Sequence, residues 1–429
     1  MIAMIVSSVI FVVALTLIFT EKMNRSITAI AGAALMVGFG TVMEFYSQDE
    51  AIEAIDFNTL GLLFGMMILV ALLEPTGFFE YLAIWAARLS KGQPVRLMVL
   101  LGTVTTVLSM FLDNVTTVVL IAPVTVLISE ILGVKPVPYL IAEALLSNTG
   151  GVATLVGDPP NVVIASAAGF SFNDFLTHSL PIVLVAWLAA LFLLLYLFRD
   201  DLRQMPKNKD AVLELDPNEA LNDPVTIKRV LIVLGVAIFF FFIHHSLHIQ
   251  PSLIAMGSAA VALVWVQPDL HKTLLRIEWN VLIFFGALFA MVGGLEATGV
   301  LHKLAELIGG AGSLSPVVFG VITIWVIAIL SAIVDNIPIT IAMIPVFADL
   351  AQSGINVTPL WWALAFGAGF GGNGTIIGST ANVFIVSLSE RTKYPITAQL
   401  WSKRGLPVMI TTCIVGSILF VLAYPYLSR

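Results

Sequence analysis

The chain has 429 residues, of which 59% are hydrophobic and 11% are charged, and its formal net charge is −7. A soluble globular domain carries about 25% charged residues, so this composition excludes an ordinary soluble protein. The acidic balance and the lack of a basic tract give no indication of a nucleic-acid partner. The single cysteine, Cys413, excludes a disulfide within the chain and a site built from several thiolates.

Apolar runs of about 20 residues recur along the whole chain, which is typical of an all-α polytopic protein embedded in a lipid bilayer. The first run lacks a basic leading region and a cleavage site, so we expect a retained helix rather than a signal peptide. The first half contains four predicted spans, one tight apolar pair and one segment interrupted by glycine and proline. The four spans are 1–20, 26–45, 57–75 and 178–198. The apolar pair is 95–112 and 115–133, and the interrupted segment is 138–168.

The second half has the same organisation. Its predicted spans are 229–246, 251–267, 279–297 and 405–426, its apolar pair is 315–334 and 337–352, and its interrupted segment is 358–388. A polar stretch separates the halves and marks a domain boundary. We therefore predict a first repeat at 1–198, a linker at 199–228 and a second repeat at 229–429.

Matching sequence blocks indicate that the two halves arose by duplication. Asp113-Asn114 matches Asp335-Asn336 at an offset of 222, and the stretch from Phe57 matches the stretch from Trp279 at the same offset. Gly150 to Asn161 matches Gly371 to Asn382 at an offset of 221. Three blocks in the same order at nearly one spacing make duplication a strong inference.

The turn inside each apolar pair is a bare Asp-Asn without a polar loop. A helix end at the water interface would normally have such a loop, so we interpret each pair as a re-entrant hairpin whose tip stops inside the membrane. Irregular backbone at that depth requires burial in protein or a water-filled cavity. Each repeat then has five transmembrane helices, one of them Gly/Pro-broken, plus a hairpin. The odd number makes the two repeats inverted.

The distribution of basic residues predicts the orientation in the membrane. With the N-terminus outside, 18 of the 20 lysines and arginines fall on the cytoplasmic side, as the positive-inside rule requires. Both termini are then outside and the linker 199–228 is cytoplasmic. Counting the hairpins as full spans gives the same result, so charge does not distinguish the two interpretations.

The two acidic hairpin tips are the first candidates for a functional site. A carboxylate at membrane depth costs about 2.5–3.5 kcal/mol or more, and such residues are functional by default. Asp113 and Asp335 could exchange protons or bind a cation, or they could simply cap a helix N-terminus. Asp158 has Ser379 as its counterpart, so either a role specific to one half or an ordinary turn aspartate explains it.

The remaining candidates lie on the hairpin tips and the interrupted segments. Amide side chains both donate and accept hydrogen bonds, and Asn148 and Asn373 are weaker candidates of this kind. We expect the site to hold three carboxylates and no lysine or arginine. The glycine run at 367–382 resembles a nucleotide loop only superficially, because no strand precedes it and no G-x-x-x-x-G-K-[ST] sequence exists. With no nucleophile and base pair, metal cluster or cofactor motif, we predict a protein that is not an enzyme.

The hairpin motif and the stretch GGVATLVGDPPN at 150–161 resemble the ion transporter superfamily, specifically its arsenite/antimonite efflux permease branch. That branch is related to the NhaD-type sodium/proton antiporters and the P protein. The resemblance implies binding of substrate and ions at the hairpin tips and helix breaks. Carried over by position, the site residues are Asp113, Asn114, Thr154, Gly157, Asp158, Asn161, Asp335, Asn336, Thr375, Gly378, Ser379 and Asn382. It also implies alternating access, a homodimer and, for an arsenite permease, association with a soluble ATPase subunit.

These observations predict a secondary transporter of the inner cell membrane that exports arsenite or antimonite in exchange for protons. The scarcity of cysteine agrees with this substrate, because thiolates hold trivalent arsenic tightly and an exporter must release it. The alternative is a sodium/proton antiporter in which Asp113 and Asp335 bind Na+. An anion or organic-acid carrier is less favoured, because three carboxylates would repel an anion. A channel would need a continuous wet pore rather than two occluding hairpins.

Overall fold

The computed structural model describes residues 1–19, 23–204, 206, 208–309 and 315–429, and within these ranges the regular structure is helical. Residue 20 of the first predicted span and linker positions 205 and 207 lie outside the described residues. The structure confirms the predicted fold class, an all-α polytopic membrane protein.

The first half forms eleven helices. They are α1 (Ile2–Phe19), α2 (Arg25–Val42), α3 (Gln48–Glu53), α4 (Phe57–Leu73), α5 (Phe78–Ser90), α6 (Pro94–Leu112), α7 (Asn114–Leu132), α8 (Val137–Gly151), α9 (Pro159–Ala168), α10 (Phe172–Asp174) and α11 (Leu180–Leu197). A 3-10 turn at Glu74–Thr76 follows α4, and a π-helical turn at Phe175–Ser179 leads into α11.

The linker and second half follow in the same order. The linker holds α12 (Arg199–Leu202), α13 (Ala211–Glu214) and a 3-10 turn at Pro217–Ala220. The second half comprises α14 (Pro224–Leu247), α15 (Pro251–Val266), α16 (Leu270–Leu275), α17 (Trp279–Ala297), α18 (Val300–Gly309), α19 (Pro316–Ile333), α20 (Asn336–Gln352), α21 (Thr358–Gly371), α22 (Thr380–Glu390) and α23 (Ala398–Leu427).

Every predicted span appears as a helix, and both interrupted segments break. Within the described ranges, nine helices are long and apolar enough to cross a membrane. Large apolar side chains on their outer faces, such as Leu35, Phe192 and Phe239, are exposed. Such faces suit lipid, in which the backbone polar groups must be satisfied inside each helix.

Proline and glycine explain where several helices begin and end. Pro94 and Pro316 are the first residues of α6 and α19, a position where the missing N–H costs nothing. Gly77 and Gly299 have φ values of 80° and 73°, which glycine adopts without strain. These two glycines turn the chain into α5 and α18, two helices that the sequence analysis did not predict.

The halves of the molecule interlock rather than lie side by side. Helix α2 of the first half packs against α17 of the second, and α15 of the second half packs against α4 of the first. At this second contact a Cβ added to Gly65 would lie 2.5 Å from the carbonyl carbon of Ala255. The two helices therefore approach more closely than a side chain at Gly65 would allow.

The hairpins and the broken helices also cross between the halves. Helices α6 and α7 form hairpin one, and α19 and α20 form hairpin two. Helix α8 packs along hairpin one, whereas α9, after the break, packs against α20 and α21. In the second half α21 packs along hairpin two, and α22 packs against α7 and α8. Each hairpin tip thus ends at the level of a helix break, the arrangement expected of re-entrant hairpins.

The linker is fastened to the base of hairpin one. Val212 on α13 is buried, and the Asn208 backbone N–H donates to the Leu132 carbonyl at 3.4 Å. Lys135 pairs with Asp201 at 3.2 Å. This polar stretch therefore follows the protein surface over part of its length and is not a free tether.

The close contact at Gly65 generates a stability prediction. Gly65→Ala should lower the free energy of unfolding by about 1–3 kcal/mol, because the new methyl group would overlap the α15 backbone. The midpoint of thermal unfolding of the purified protein in detergent measures this change.

Gly257→Ala on α15 is the matched control, because a Cβ there meets nothing within 4 Å. It should leave the midpoint unchanged or raise it slightly, since alanine has the higher helix propensity. Equal midpoints for the two variants would contradict the close packing of α4 and α15.

Candidate transport site

Asp113 forms the tip of hairpin one. Its backbone φ is 87°, a value that residues other than glycine rarely adopt. Its carboxylate accepts a hydrogen bond from the Thr116 backbone N–H at 2.9 Å, and its carbonyl accepts one from the Thr117 hydroxyl at 2.7 Å. The capping interpretation of Asp113 is therefore confirmed.

Asp335 forms the tip of hairpin two but has different partners. Its side chain makes no cap at the start of α20. Its carboxylate instead accepts a hydrogen bond from the Arg25 guanidinium at 3.0 Å and one from the Thr380 hydroxyl at 3.3 Å. The two tips have the same Asp-Asn sequence and distinct electrostatic surroundings.

Arg25 makes the expectation of a site without basic side chains wrong. It is the first residue of α2, and its guanidinium contacts both Asp335 and the Thr380 hydroxyl, the latter at 2.5 Å. It also lies 5.6 Å from the ring centre of Phe284. Sequence reasoning placed Arg25 in a cytoplasmic loop, because nothing in the sequence indicates that the start of α2 reaches a hairpin tip.

The two helix breaks are held by the same hydrogen bonds in both halves. The Asn161 amide donates to the carbonyls of Gly151 at 3.1 Å and Thr154 at 2.8 Å. At the matching positions Asn382 donates to Gly372 at 2.7 Å and Thr375 at 2.9 Å. These amides satisfy carbonyls that the broken helices leave without an intrahelical partner.

Threonine side chains tie each break to its hairpin. The Thr154 hydroxyl donates to the Met110 carbonyl at the end of α6, and the Thr375 hydroxyl donates to the Ala332 carbonyl at the end of α19. Four of the predicted site residues, the two threonines together with Asn161 and Asn382, therefore hold the breaks in place in this conformation.

Close backbone contacts account for the paired glycines in the breaks. A Cβ at Gly157 would lie 2.5 Å from the Gly151 carbonyl oxygen. At the symmetric position a Cβ at Gly378 would lie 2.8 Å from the Gly372 carbonyl oxygen. Only glycine allows the two ends of each break to come this close.

Asn148 is the centre of a buried hydrogen-bond network that joins the halves. Its amide oxygen accepts hydrogen bonds from Asn114 at 3.1 Å and from the Ser379 hydroxyl at 3.0 Å. Its amide nitrogen donates to Asn382 at 2.9 Å and to Asn373 at 3.2 Å. The sequence analysis ranked Asn148 and Asn373 as weaker candidates, and the structure gives them central positions.

Asp158 links the break of the first half to the tip of hairpin two. Its carboxylate accepts hydrogen bonds from the Asn336 amide at 3.2 and 3.4 Å, and both side chains are buried. Its symmetry partner Ser379 points to Asn148 instead. The unpaired acid therefore has a specific contact across the repeat interface.

Two cavities border the hairpin tips. One of about 270 Å³ is lined by Arg25, Asp335 and Thr380 together with apolar side chains. A smaller one of about 30 Å³, enough for one water, is lined by Asp113, Glu278, Arg25 and Thr380. Glu278 is a second charged residue that the sequence analysis missed. Arg25 contributes to both cavities, whose linings together include the carboxylates of Asp113, Glu278 and Asp335.

The arrangement suits binding of a small ligand and a cation or proton. It offers amide and hydroxyl groups at the interface of the two halves, carboxylates on three sides and one guanidinium. In the described part of the chain, no group of three or more His, Cys, Asp or Glu side chains has the arrangement of a metal site.

Comparison with known families and proteins gives consistent results. A family model described as citrate transporter matches residues 15–367. The chain is 38% identical to a 46 kDa membrane protein of Mycobacterium leprae, over 99% of this chain and 100% of that protein. It is 40% identical to an uncharacterized transporter of Mycobacterium tuberculosis, over 98% and 99% of the two chains.

More distant similarities extend to a human protein and to a bacterial protein of known structure. The human P protein is 33% identical over 95% of this chain, which spans 58% of the length of that protein. The predicted relation to the P protein is thereby confirmed. Among solved structures, the YdaH transporter of Alcanivorax borkumensis matches with a TM-score of 0.62 and 15% identity, over 94% of this chain and 99% of that one. At this identity the likeness concerns the fold alone.

The hydrogen bonds at the breaks generate the second prediction. Asn382→Ala should lower the free energy of unfolding by about 1–3 kcal/mol, because it removes the donor to the buried Gly372 carbonyl and to the partly buried Thr375 carbonyl. The measurement is again the thermal midpoint in detergent.

Asn161→Ala removes the symmetric pair of bonds and should have a comparable effect. Asn218→Ala in the exposed linker is the control and should not change the midpoint. Control-like stability of both site variants would show that the breaks do not depend on these amides.

Proposed function

Because this chain belongs to the citrate transporter family, whose model matches residues 15–367, we propose that it is a secondary active transporter coupled to protons by alternating access. One observation supports this most directly: both hairpin tips and both helix breaks meet in one buried polar network. Broken helices at the interface of structural repeats are the usual location of substrate and coupling-ion sites in secondary transporters.

We interpret the conformation described here as an inward-facing state. The larger cavity is lined by Asp335 and by Met23, Asn24 and Arg25 at the start of α2. In the orientation predicted from charge, this part of the chain is cytoplasmic. Movement of one group of helices relative to the other would then open the network to the opposite side. We propose accordingly an inner-membrane protein with both termini outside.

The coupling protons would bind at the carboxylates of the tips and breaks. Asp113, Asp158 and Asp335 lie on three different segments that meet at the repeat interface. Asp335 is already paired with a guanidinium, so a proton or cation that binds there must displace Arg25. Competition between a proton and a cation for this single carboxylate links their two binding equilibria. Such linkage is the thermodynamic requirement of coupled exchange.

Arsenite or antimonite is the substrate that we propose first. At neutral pH both are uncharged hydroxides, which need hydrogen-bond partners rather than a countercharge. Asn114, Asn336 and Ser379 provide such partners at the interface of the halves. Cys413, the single thiol of the chain, is buried in α23. A soluble ATPase subunit and a homodimer remain proposals that depend on the resemblance to arsenite permeases.

Sodium is the alternative substrate, as in a sodium/proton antiporter. The Arg25 guanidinium lies 3.0 Å from the Asp335 carboxylate, so one hairpin tip already holds a cation. This contact favours the sodium alternative. Asp113 and Glu278 line one small cavity and supply two further carboxylates, neither of which forms an ion pair with a described residue. Carboxylate and carbonyl oxygens are suitable ligands for hard cations.

A carboxylate substrate is a third candidate, and Arg25 favours it. The argument against an anion assumed a site without a basic side chain, and Arg25 removes that assumption. Arginine is the residue best suited to paired hydrogen bonds with a carboxylate. The family is also described as one of citrate transporters. Protonation of neighbouring carboxyl groups would have to accompany binding of such an anion.

The third prediction concerns coupling at Asp113. In everted membrane vesicles with an imposed proton gradient, the parent protein should accumulate arsenite. Asp113→Asn should reduce this accumulation at least tenfold while the protein is still inserted in the membrane. The variant removes the charge that a proton or cation would neutralise. Uptake of labelled arsenite measures the result.

Glu130→Gln is the matched control, because Glu130 is exposed at the other end of α7. It should transport like the parent. Undiminished proton-driven uptake by Asp113→Asn would end the coupling role of Asp113. Sodium-triggered proton movement without arsenite uptake would instead establish the sodium/proton antiporter.

The fourth prediction separates a neutral substrate from an anion through Arg25. If the substrate is arsenite, Arg25→Gln should leave the half-saturating arsenite concentration within about threefold, because no countercharge is lost. If the substrate is citrate, loss of the guanidinium charge should raise the half-saturating citrate concentration by about tenfold or more, equivalent to about 1.4 kcal/mol. Concentration series in the same vesicles decide between the two, and Arg25→Lys serves as the charge-preserving control.

A further inference from the structure

A second buried acid lies outside the transport site, on the face of α8 that packs against α7. Glu143 is completely buried. One of its carboxyl oxygens accepts a hydrogen bond from the Thr125 hydroxyl at 2.5 Å. The other oxygen is buried and has no hydrogen-bond partner in the described part of the chain. Nothing in the transport mechanism above uses this side chain.

The duplication provides an internal comparison for Glu143. At an offset of 221 its counterpart in α21 is Leu364, and at an offset of 222 the counterpart of Thr125 in α20 is Phe347. Both apolar side chains are buried. The second half therefore packs the same pair of helices without an acid or a hydroxyl. Packing alone does not require Glu143.

No opposite charge stabilises an ionised Glu143. It makes no ion pair with any described residue. The titratable groups on α8 itself and on the helices packed against it make no hydrogen bond to it. These groups are Arg96, Glu130, Tyr139, Tyr196, Glu390, Lys403, Arg404, Cys413, Tyr424 and Tyr426. A buried carboxylate with one hydrogen bond and no counterion is costly, so the neutral acid is the stable form in this conformation.

Polar groups connect Glu143 to the tip of hairpin one. Ser147 follows one helical turn later on α8, and its hydroxyl donates to the Asn114 carbonyl at 3.4 Å. The Ser109 hydroxyl donates to the Ser147 carbonyl at 3.1 Å. Asn114 is the residue next to Asp113, and all these side chains are buried. The counterpart of Ser147 in the second half is Ala368, whose carbonyl accepts a hydrogen bond from the Ser331 hydroxyl at 2.7 Å, as the Ser147 carbonyl does from Ser109. The contact of the Ser147 hydroxyl with the hairpin tip is therefore the part of this connection that alanine at position 368 cannot make.

We propose that Glu143 is a second proton-binding site, carried by α8 and controlled by hairpin one. The neutral acid is held by the Thr125 hydroxyl while α7 and α8 are packed as described. When the local contact between α7 and α8 at Thr125 opens during transport, the Thr125 hydrogen bond breaks and water reaches the carboxyl group. Glu143 then gives its proton to water and becomes a carboxylate, and it takes up a proton before the contact re-forms. This inference rests on the proposed proton-coupled transport.

Reconstituted proteoliposomes separate proton coupling from substrate binding. Exchange of labelled arsenite at equal pH on both sides requires no net proton movement, whereas accumulation under a pH gradient does. Glu143→Gln, which mimics the neutral acid, should keep exchange and lose at least tenfold in gradient-driven accumulation. Glu143→Asp should restore part of the accumulation, and Glu130→Gln should resemble the parent. Accumulation by Glu143→Gln with the parent's pH profile would overturn the proposal.

Infrared difference spectroscopy tests the proton on Glu143 without transport. The parent minus Glu143→Gln spectrum should contain the carbonyl band of a protonated carboxylic acid. Raising the pH should convert this band into carboxylate bands. If Glu143→Gln does not fold, the parent is compared with Glu143→Asp instead. The carbonyl band of the protonated acid should then shift in frequency between the two proteins. A spectrum without a protonated band, or a band that never responds to pH, would overturn the proposal.

The two experiments distinguish the failure of this inference from the failure of the proposed function. A parent protein that transports neither arsenite, sodium nor citrate with protons would reject the proposed function, and the infrared titration would still decide whether Glu143 binds a proton. Proton-coupled transport by the parent together with an unresponsive Glu143 would reject only the present inference.

Discussion

The central constraint on this protein is the need to satisfy backbone carbonyls where two helices break inside an apolar environment. Unpaired carbonyls at membrane depth cost several kcal/mol each. Each half meets this need in the same way, with an asparagine after the break whose amide donates to two backbone carbonyls at the start of or within the break. Threonines fasten each break to a hairpin, and glycines let the backbones meet. The position of the hairpin tips, and with them Asp113 and Asp335, follows from these contacts.

On this symmetric frame the charges are arranged asymmetrically. Asp113 caps its own helix, whereas Asp335 binds Arg25 from another helix. Asp158 occupies the position that Ser379 occupies in the second half, and Glu143 occupies the position of Leu364. Duplication therefore accounts for the scaffold, and divergence of a few polar positions accounts for the electrostatics.

Most of the helical architecture could be predicted from the sequence, because long apolar runs and Gly/Pro interruptions are local signals. The interrupted segments 138–168 and 358–388 were located for this reason, and the repeat identified them as partners. The structure places the breaks within them at 152–158 and 372–379. Arg25 and Glu278 were missed because their roles arise from contacts between segments far apart in the chain. Helices α5 and α18 were missed because they are short and less apolar than a span. The central position of Asn148 likewise depends on tertiary packing, although a lone asparagine in an apolar segment was a usable signal.

The interlocking of the halves has a consequence for how the protein is made. Ala29 and Met36 on α2 are fully buried, and α2 packs against α17, which begins about 250 residues later in the chain. While the ribosome is still translating the second half, α2 and α4 are already in the membrane without their final neighbours. The small residues that fit closely in the finished protein, such as Gly32 and Gly65, then face lipid or a chaperone. Assembly must therefore finish after synthesis, and the order in which helices leave the insertion machinery becomes part of the folding pathway.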